Sequence, residues 1–187
     1  GPVYIPLENE DLPEEGYRCA IALSGTLGGK HWSAPARKVD FYDLKGYAEA
    51  LFDCLGVTWQ LEPLESPAYH PRASARILLD GKPAGTMGET HPKVLRAFDI
   101  EQPVFLLELD IDPLLGASRS PALFTEPPTL PPSLRDLAVI VDKSIPAAEL
   151  LETVRKAGGN LLSRVSIFDV YTGKQVPEDK KSVALSL

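Results

Sequence analysis

The sequence predicts an α+β protein, and three observations carry that prediction. Residues 133–187 run strand, helix, strand, strand, which is the first part of a split β-α-β sandwich. Upstream, an Asp80-Gly81 pair separates two strand-like runs, a strong signal for a two-residue hairpin. Finally, helical stripes are interposed among short alternating strands rather than following each strand in turn, as in a mixed antiparallel architecture.

Taken in order, residues 1–16 hold three prolines and five acidic residues and read as an irregular lead-in. Tyr17, Cys19, Ile21 and Leu23 alternate with Arg18, Ala20 and Ala22, as in a strand buried mainly on one face. Residues 24–38 read as a loop rich in Gly, Ser and Pro. Its Gly25-Thr26-Leu27-Gly28-Gly29-Lys30 run invites comparison with a phosphate loop, but lacks the Gly-Lys-Ser/Thr ending and a following helix.

Leu44, Tyr47, Ala48, Leu51 and Leu55 recur at helical spacing, with Asp40 or Asp43 available as a cap and Gly56 as a stop. Val57, Trp59 and Leu61 alternate as a strand, and Phe52 and Trp59 read as core aromatics. Ala75, Ile77 and Leu79 line a strand leading into Asp80-Gly81. The return strand spans 82–87, where Pro83 and Gly85 predict an edge or a bulge. Thr90-His91-Pro92 opens a short helix running to Phe98, and Phe105, Leu107, Leu109 and Ile111 mark a last strand.

Residues 116–132 are proline-rich and almost uncharged, an ordered connector containing the domain boundary, so 1–115 and 133–187 are read as separate domains. In the second, Leu137, Val139 and Val141 share one strand face and Ala138 and Ile140 the other. A helix over 145–157 follows, with Pro146 in its first turn, a stripe of Leu150, Leu151, Val154 and Ala157, and a left-handed cap from Gly158-Gly159. Strands over 164–171 and 182–187 flank a polar turn.

With 44% apolar and 24% charged residues, the chain reads as an ordinary globular protein. No apolar run approaches the roughly 18 residues of a membrane span, and residues 1–6 lack a signal peptide's character, so a cytoplasmic location with no membrane partner is expected. Cys19 and Cys54 form no Cys-x-x-Cys pattern; neither a disulfide framework nor zinc is indicated, and both read as small buried hydrophobes. The net charge of −7 argues against a general nucleic-acid binder and against DNA as a partner. It is unevenly placed, however. Residues 133–187 hold 8 Lys and Arg against 7 Asp and Glu, whereas the first 132 residues hold 11 against 19. Any RNA recognition by the C-terminal part must therefore be local.

A hydrolase site using His70, His91 and Ser74 lacks a Gly-x-Ser-x-Gly elbow, and both histidines precede proline, where turn or helix-start roles account for them. With no His-x-x-x-His spacing either, no catalytic and no metal-binding residue is assigned.

The wording of the chain adds a resemblance. Arg135-Asp136-Leu137-Ala138, then Gly158-Gly159, then Phe168-Asp169-Val170-Tyr171-Thr172-Gly173, then Pro177-Glu178-Asp179-Lys180-Lys181-Ser182-Val183-Ala184 resembles the ferredoxin-fold anticodon-binding domain ending the β subunit of bacterial phenylalanyl-tRNA synthetases. Val39-Asp40-Phe41-Tyr42-Asp43-Leu44-Lys45-Gly46, Tyr69-His70-Pro71 with Ser74-Ala75, Asp80-Gly81-Lys82, Gly88-Glu89 with His91-Pro92, and 105–110 resemble the catalytic-like module of the same family. The likeness runs from about Arg18 onward.

The resemblance implies a class II synthetase-like antiparallel sheet module followed by a ferredoxin-like β-α-β-β sandwich. In the family the first module is noncatalytic and packs against the α subunit, within an enzyme of two α and two β chains that uses ATP and Mg2+ to attach phenylalanine to its tRNA. The Arg-x-Glu and Gly-x-Gly-x-x-Arg arrangements expected of an activating site do not occur here. The segment is therefore expected to bind no cofactor and to be inactive alone. Because the family's domain continues with another helix and strand, the chain reads as a fragment, its sandwich incomplete.

Carried over residue by residue, the anticodon contacts fall on Ala138, Asp169, Tyr171 and Ser182, with Lys174, Lys180 and Lys181 placed for a phosphate backbone. Read without the resemblance, Tyr171 packs beneath the turn, Asp169 pairs with Lys181 across strands, and the lysines form a solvated turn. A different function class also fits the pattern, because β-α-β-β orders begin small-ligand-binding regulatory modules too.

Overall fold

A computed structural model describes every residue except 9–10, 30–31, 33–34, 118–123, 125 and 127–128. Two units result, Gly1–Leu123 and Phe124–Leu187. The first contains β1 (Pro2–Ile5), β2 (Glu14–Ser24), β3 (Thr26–Leu27), β4 (Arg37–Lys38), α1 (Phe41–Leu55), β5 (Trp59–Pro63), β6 (Tyr69–Leu79), β7 (Lys82–Thr90), α2 (Pro92–Ala97), β8 (Val104–Asp110) and α3 (Ile111–Gly116). The second contains β9 (Asp136–Asp142), α4 (Ala147–Gly158), a 3-10 turn at Gly159–Leu161, β10 (Ser166–Tyr171) and β11 (Lys180–Ser186). The α+β class holds, with every sheet pairing antiparallel.

The large sheet has the order β1-β2-β8-β7-β6-β5. Helix α1 starts where sequence chemistry says it should. The Asp40 side chain accepts from the Tyr42 and Asp43 amides, and the Asp43 carboxylate accepts from the Asp40 amide at 2.9 Å, closing a capping box. Arg37 grips Asp43 with both guanidinium ends, at 2.7 and 2.5 Å, and this pairing holds the Asp43 carboxyl down to about 2. Gly56, at φ 64°, ends the helix in the left-handed region.

Leu44, Ala48 and Phe52, four apart, form the buried stripe, and they meet Ile77, Met87, Leu107 and Leu109 of the sheet. Tyr47, expected on that stripe, lies beside it and is half exposed. The Phe52 and Trp59 rings pack at 5.6 Å between centroids.

Several expectations need correction. The lead-in is partly strand, because β1 pairs with Glu14–Tyr17 and the terminal amine donates to the Arg18 carbonyl; backbone pairing overrides a composition unfavourable to strands. Residues 24–38 contain the β3–β4 ladder. Strand β7 is interior, between β6 and β8; the bulge prediction fits, since register shifts between Ile77 and Leu78. Gly85 is needed there for close approach, as a Cβ would lie 2.2 Å from the Glu108 carbonyl oxygen.

Ile111 does not extend β8. It begins α3, where Pro113 removes a ladder donor and suits a first turn. Cys54 is exposed and Cys19 only partly buried, because the buried stripe of α1 passes through Phe52 and leaves Cys54 outside it. In the second unit, Pro146 precedes α4 as its N-cap rather than sitting within the helix, and Gly159 supplies the positive φ, 50°. Much of the proline-rich connector lies outside the described residues.

Candidate nucleic-acid interface

The candidate surface is built by the β10-β11-β9 sheet. Val139, Val141, Val183, Leu185 and Ile167 belong to the core that α4 supplies with Leu150, Leu151 and Val154. Alternation must send the intervening residues of β9 and β11 to the other face. The register places them in two rows, Ala138–Ala184–Asp169 and Ile140–Ser182–Tyr171. Residues paired across antiparallel strands have Cβ atoms about 5 Å apart, so Asp169, Tyr171, Ser182 and Ala138 occupy one contiguous patch. The patch is open: Ala138 and Asp169 are exposed, Ile140 is 57% and Tyr171 45% exposed, while Val183 behind them is 2%.

A bulge makes this possible. Ile167 pairs with Leu185 and Asp169 with Ala184, so Phe168 is an extra residue in β10. Strict alternation from Ile167 would have turned Asp169 and Tyr171 toward α4. The inserted residue instead directs both to the open side and returns Val170 to the helix side, beside Ile145, Leu150 and Val183. Sequence reasoning missed this, and it missed Ile140 and Ala184 as members of the patch. A signal was present: Ile167 and Asp169 have the same parity, which would put an apolar and a charged residue on one face.

The lysines divide. Lys181 opposes Val141, and its ammonium donates to the Ile145 carbonyl at 2.6 Å and the Lys143 carbonyl at 3.2 Å. It ties the β9–α4 turn to β11. The Asp169–Lys181 pair suggested by the residues alone is therefore not formed; among the described residues no protein group hydrogen-bonds the Asp169 carboxylate. Lys180 forms a 3.5 Å ion pair with Asp142 at the surface. Lys174 is exposed in the turn, with no ion pair among the described residues.

The imagined hydrolase residues have structural partners. His70 and His91 each accept, through Nδ1, from the amide two residues ahead, at 3.2 and 3.1 Å, and His91 thereby caps α2. Ser74 donates to the Leu64 carbonyl at 2.6 Å. Burial pushes the Tyr69 phenol up, partly offset by its hydrogen bond with Thr86. Among the described residues no three His, Cys, Asp or Glu side chains converge as metal ligands. No described helix is long and apolar enough to cross a membrane.

Two family models match the chain. The family model of the phenylalanyl tRNA synthetase beta chain CLM domain matches residues 1–111, and that of the ferredoxin-fold anticodon binding domain matches residues 128–187. The phenylalanine–tRNA ligase beta subunit of Shouchella clausii is 41% identical over 179 residues, covering 95% of this chain and 22% of that protein. Its counterpart from Symbiobacterium thermophilum is 39% identical over 186 residues, 99% and 21% of the two chains. The Bacillus subtilis subunit is 37% identical over 189 residues, 100% and 23%. The chain thus spans about a fifth of the length of these relatives.

Proposed function

This chain belongs to the phenylalanyl-tRNA synthetase beta-chain family, and from that premise we propose that its second unit reads the anticodon of a tRNA while its first unit is a noncatalytic scaffold. The scaffold is a class II synthetase-like module, residues 1–115, that docks on an α subunit in a cytoplasmic enzyme of two α and two β chains. The α subunit performs the ATP- and Mg2+-dependent attachment of phenylalanine; neither cofactor is assigned to residues of this chain. Residues 116–132 connect the scaffold to the decoding domain, 133–187.

The observation that supports decoding most directly is the shared open face of Ala138, Asp169, Tyr171 and Ser182. An anticodon is single-stranded, with bases that can be splayed and read on their edges. Tyr171 supplies a ring for stacking, Asp169 accepts from exocyclic amino groups, and Ser182 donates or accepts. Ala138 leaves room for a base to lie close to the sheet. Lys174 and Lys180 flank the patch for phosphate contact, whereas Lys181 acts by holding the β9–α4 turn.

The test uses the complete ligase carrying Asp169→Ala together with Tyr171→Ala. Loss of one stacked base costs about 1–3 kcal/mol, so the KM for tRNA should rise roughly tenfold or more in charging assays. Pyrophosphate exchange, which reads amino-acid activation alone, should stay near the unmodified rate. Unchanged charging would remove the decoding role.

A further inference from the structure

We propose that Gly173 is a positioning residue: it is the seat that sets the direction of the Tyr171 ring, and it is glycine for that reason. The inference rests on the decoding role of Tyr171 and deepens it. A Cβ built at Gly173 would stand 2.0 Å from the Tyr171 hydroxyl oxygen, 2.2 Å from Cζ and 2.7 Å from Cε2. These three atoms belong to one rigid phenol whose Cζ and hydroxyl lie on the χ2 axis, so the tip cannot yield without swinging the entire ring about χ1.

Backbone conformation does not demand glycine at this position. Gly173 is absent from the positive-φ residues, which include Gly25, Gly28, Gly56, Gly81 and Gly159. Alanine would therefore meet no backbone strain of that kind, and all three nearest obstacles are Tyr171 atoms. Space is reserved at Gly173 for this side chain.

The turn around the seat is itself held in place. The Val176 amide donates to the Gly173 carbonyl at 3.0 Å, and the Lys180 amide donates to the Pro177 carbonyl at 2.9 Å. The phenol thus leans on a hydrogen-bonded turn while its strand position, opposite Ser182, keeps it beside the rest of the patch. A ring fixed in one rotamer presents a preformed stacking surface, and a base that meets it avoids the entropy of ordering it. Because Tyr171 is half exposed, displacing it should cost the fold little.

The experiment compares Gly173→Ala, Tyr171→Ala and the double variant in the complete ligase, reading KM for tRNA, kcat and the melting temperature. Gly173→Ala should raise KM about five- to tenfold, a part of the stacking contribution, with kcat and melting temperature close to those of the unmodified enzyme. In the Tyr171→Ala background the glycine replacement should have no further effect, since the ring it positions is gone. If Tyr171→Ala raises KM but Gly173→Ala does not, or if the two effects add fully, the positioning role is overturned while decoding stands. If Tyr171→Ala leaves KM unchanged, decoding by this ring and the positioning role both fall.

Discussion

Phe52→Ala is expected to destabilise the first unit by about 3–5 kcal/mol, the usual consequence of emptying an aromatic site in a packed core. Phe52 is fully buried at the point where α1 meets the sheet, and it touches the Trp59 ring of the edge strand β5. Its removal would leave Ile77, Met87, Leu107 and Leu109 facing a void that the closely paired strands β6, β7 and β8 cannot collapse to fill. Gly85 shows how little slack exists there, with the Glu108 carbonyl already where a methyl group would stand. Denaturant unfolding checks the value. Tyr47→Ala, one turn away on the exposed side of the same helix, serves as the comparison and should change stability by less than about 0.5 kcal/mol.

Leu185→Ala should have a proportionally greater effect on the second unit, costing about 2–5 kcal/mol. The fully buried set of that unit is small among the described residues: Val165, Val183 and Leu185, with Leu185 at 0% exposure. A unit of about 60 residues has roughly 3–9 kcal/mol of total stability at ordinary per-residue values, so this one replacement removes a large share of it. Hydrogen exchange is the direct measurement. Amides of β9, β10 and β11 should lose protection while those of β6, β7 and β8 keep theirs. Retained protection in β11 would show that the core of this unit lies elsewhere.

Where local chemistry determined an element, the sequence was sufficient to find it. Asp40 and Asp43 form the cap of α1, Gly56 its stop, Asp80 and Gly81 the hairpin turn with φ 48° and 76°, and His91-Pro92 the start of α2. Each depends on a side chain or dihedral preference acting within four residues. What escaped depends on partners distant in the chain. The β1 segment is strand only because Glu14–Tyr17 is there to pair with it, and Cys54 is exposed because the helix turned Phe52, not Tyr47, toward the sheet.

The candidate site shows the same division. Its residue types were apparent in the order Asp169, Tyr171, Ser182, yet their meeting on one face depends on the extra residue Phe168, a property of strand pairing. Lys181 illustrates the converse. A lysine beside a turn suggests a phosphate contact, but the carbonyls of Lys143 and Ile145 come within reach only once β9 and β11 are paired. Gly173 likewise looks like an ordinary turn glycine until the Tyr171 ring is seen against it.

The central claim is that the open face of the β10-β11-β9 sheet touches the anticodon. Photo-crosslinking tests it most directly, with a benzophenone amino acid replacing Tyr171 in the complete ligase bound to its tRNA. Adducts should map to the anticodon loop and should diminish when unlabelled tRNA is added in excess. Adducts confined to the acceptor end, or none at a position this exposed, would contradict the account.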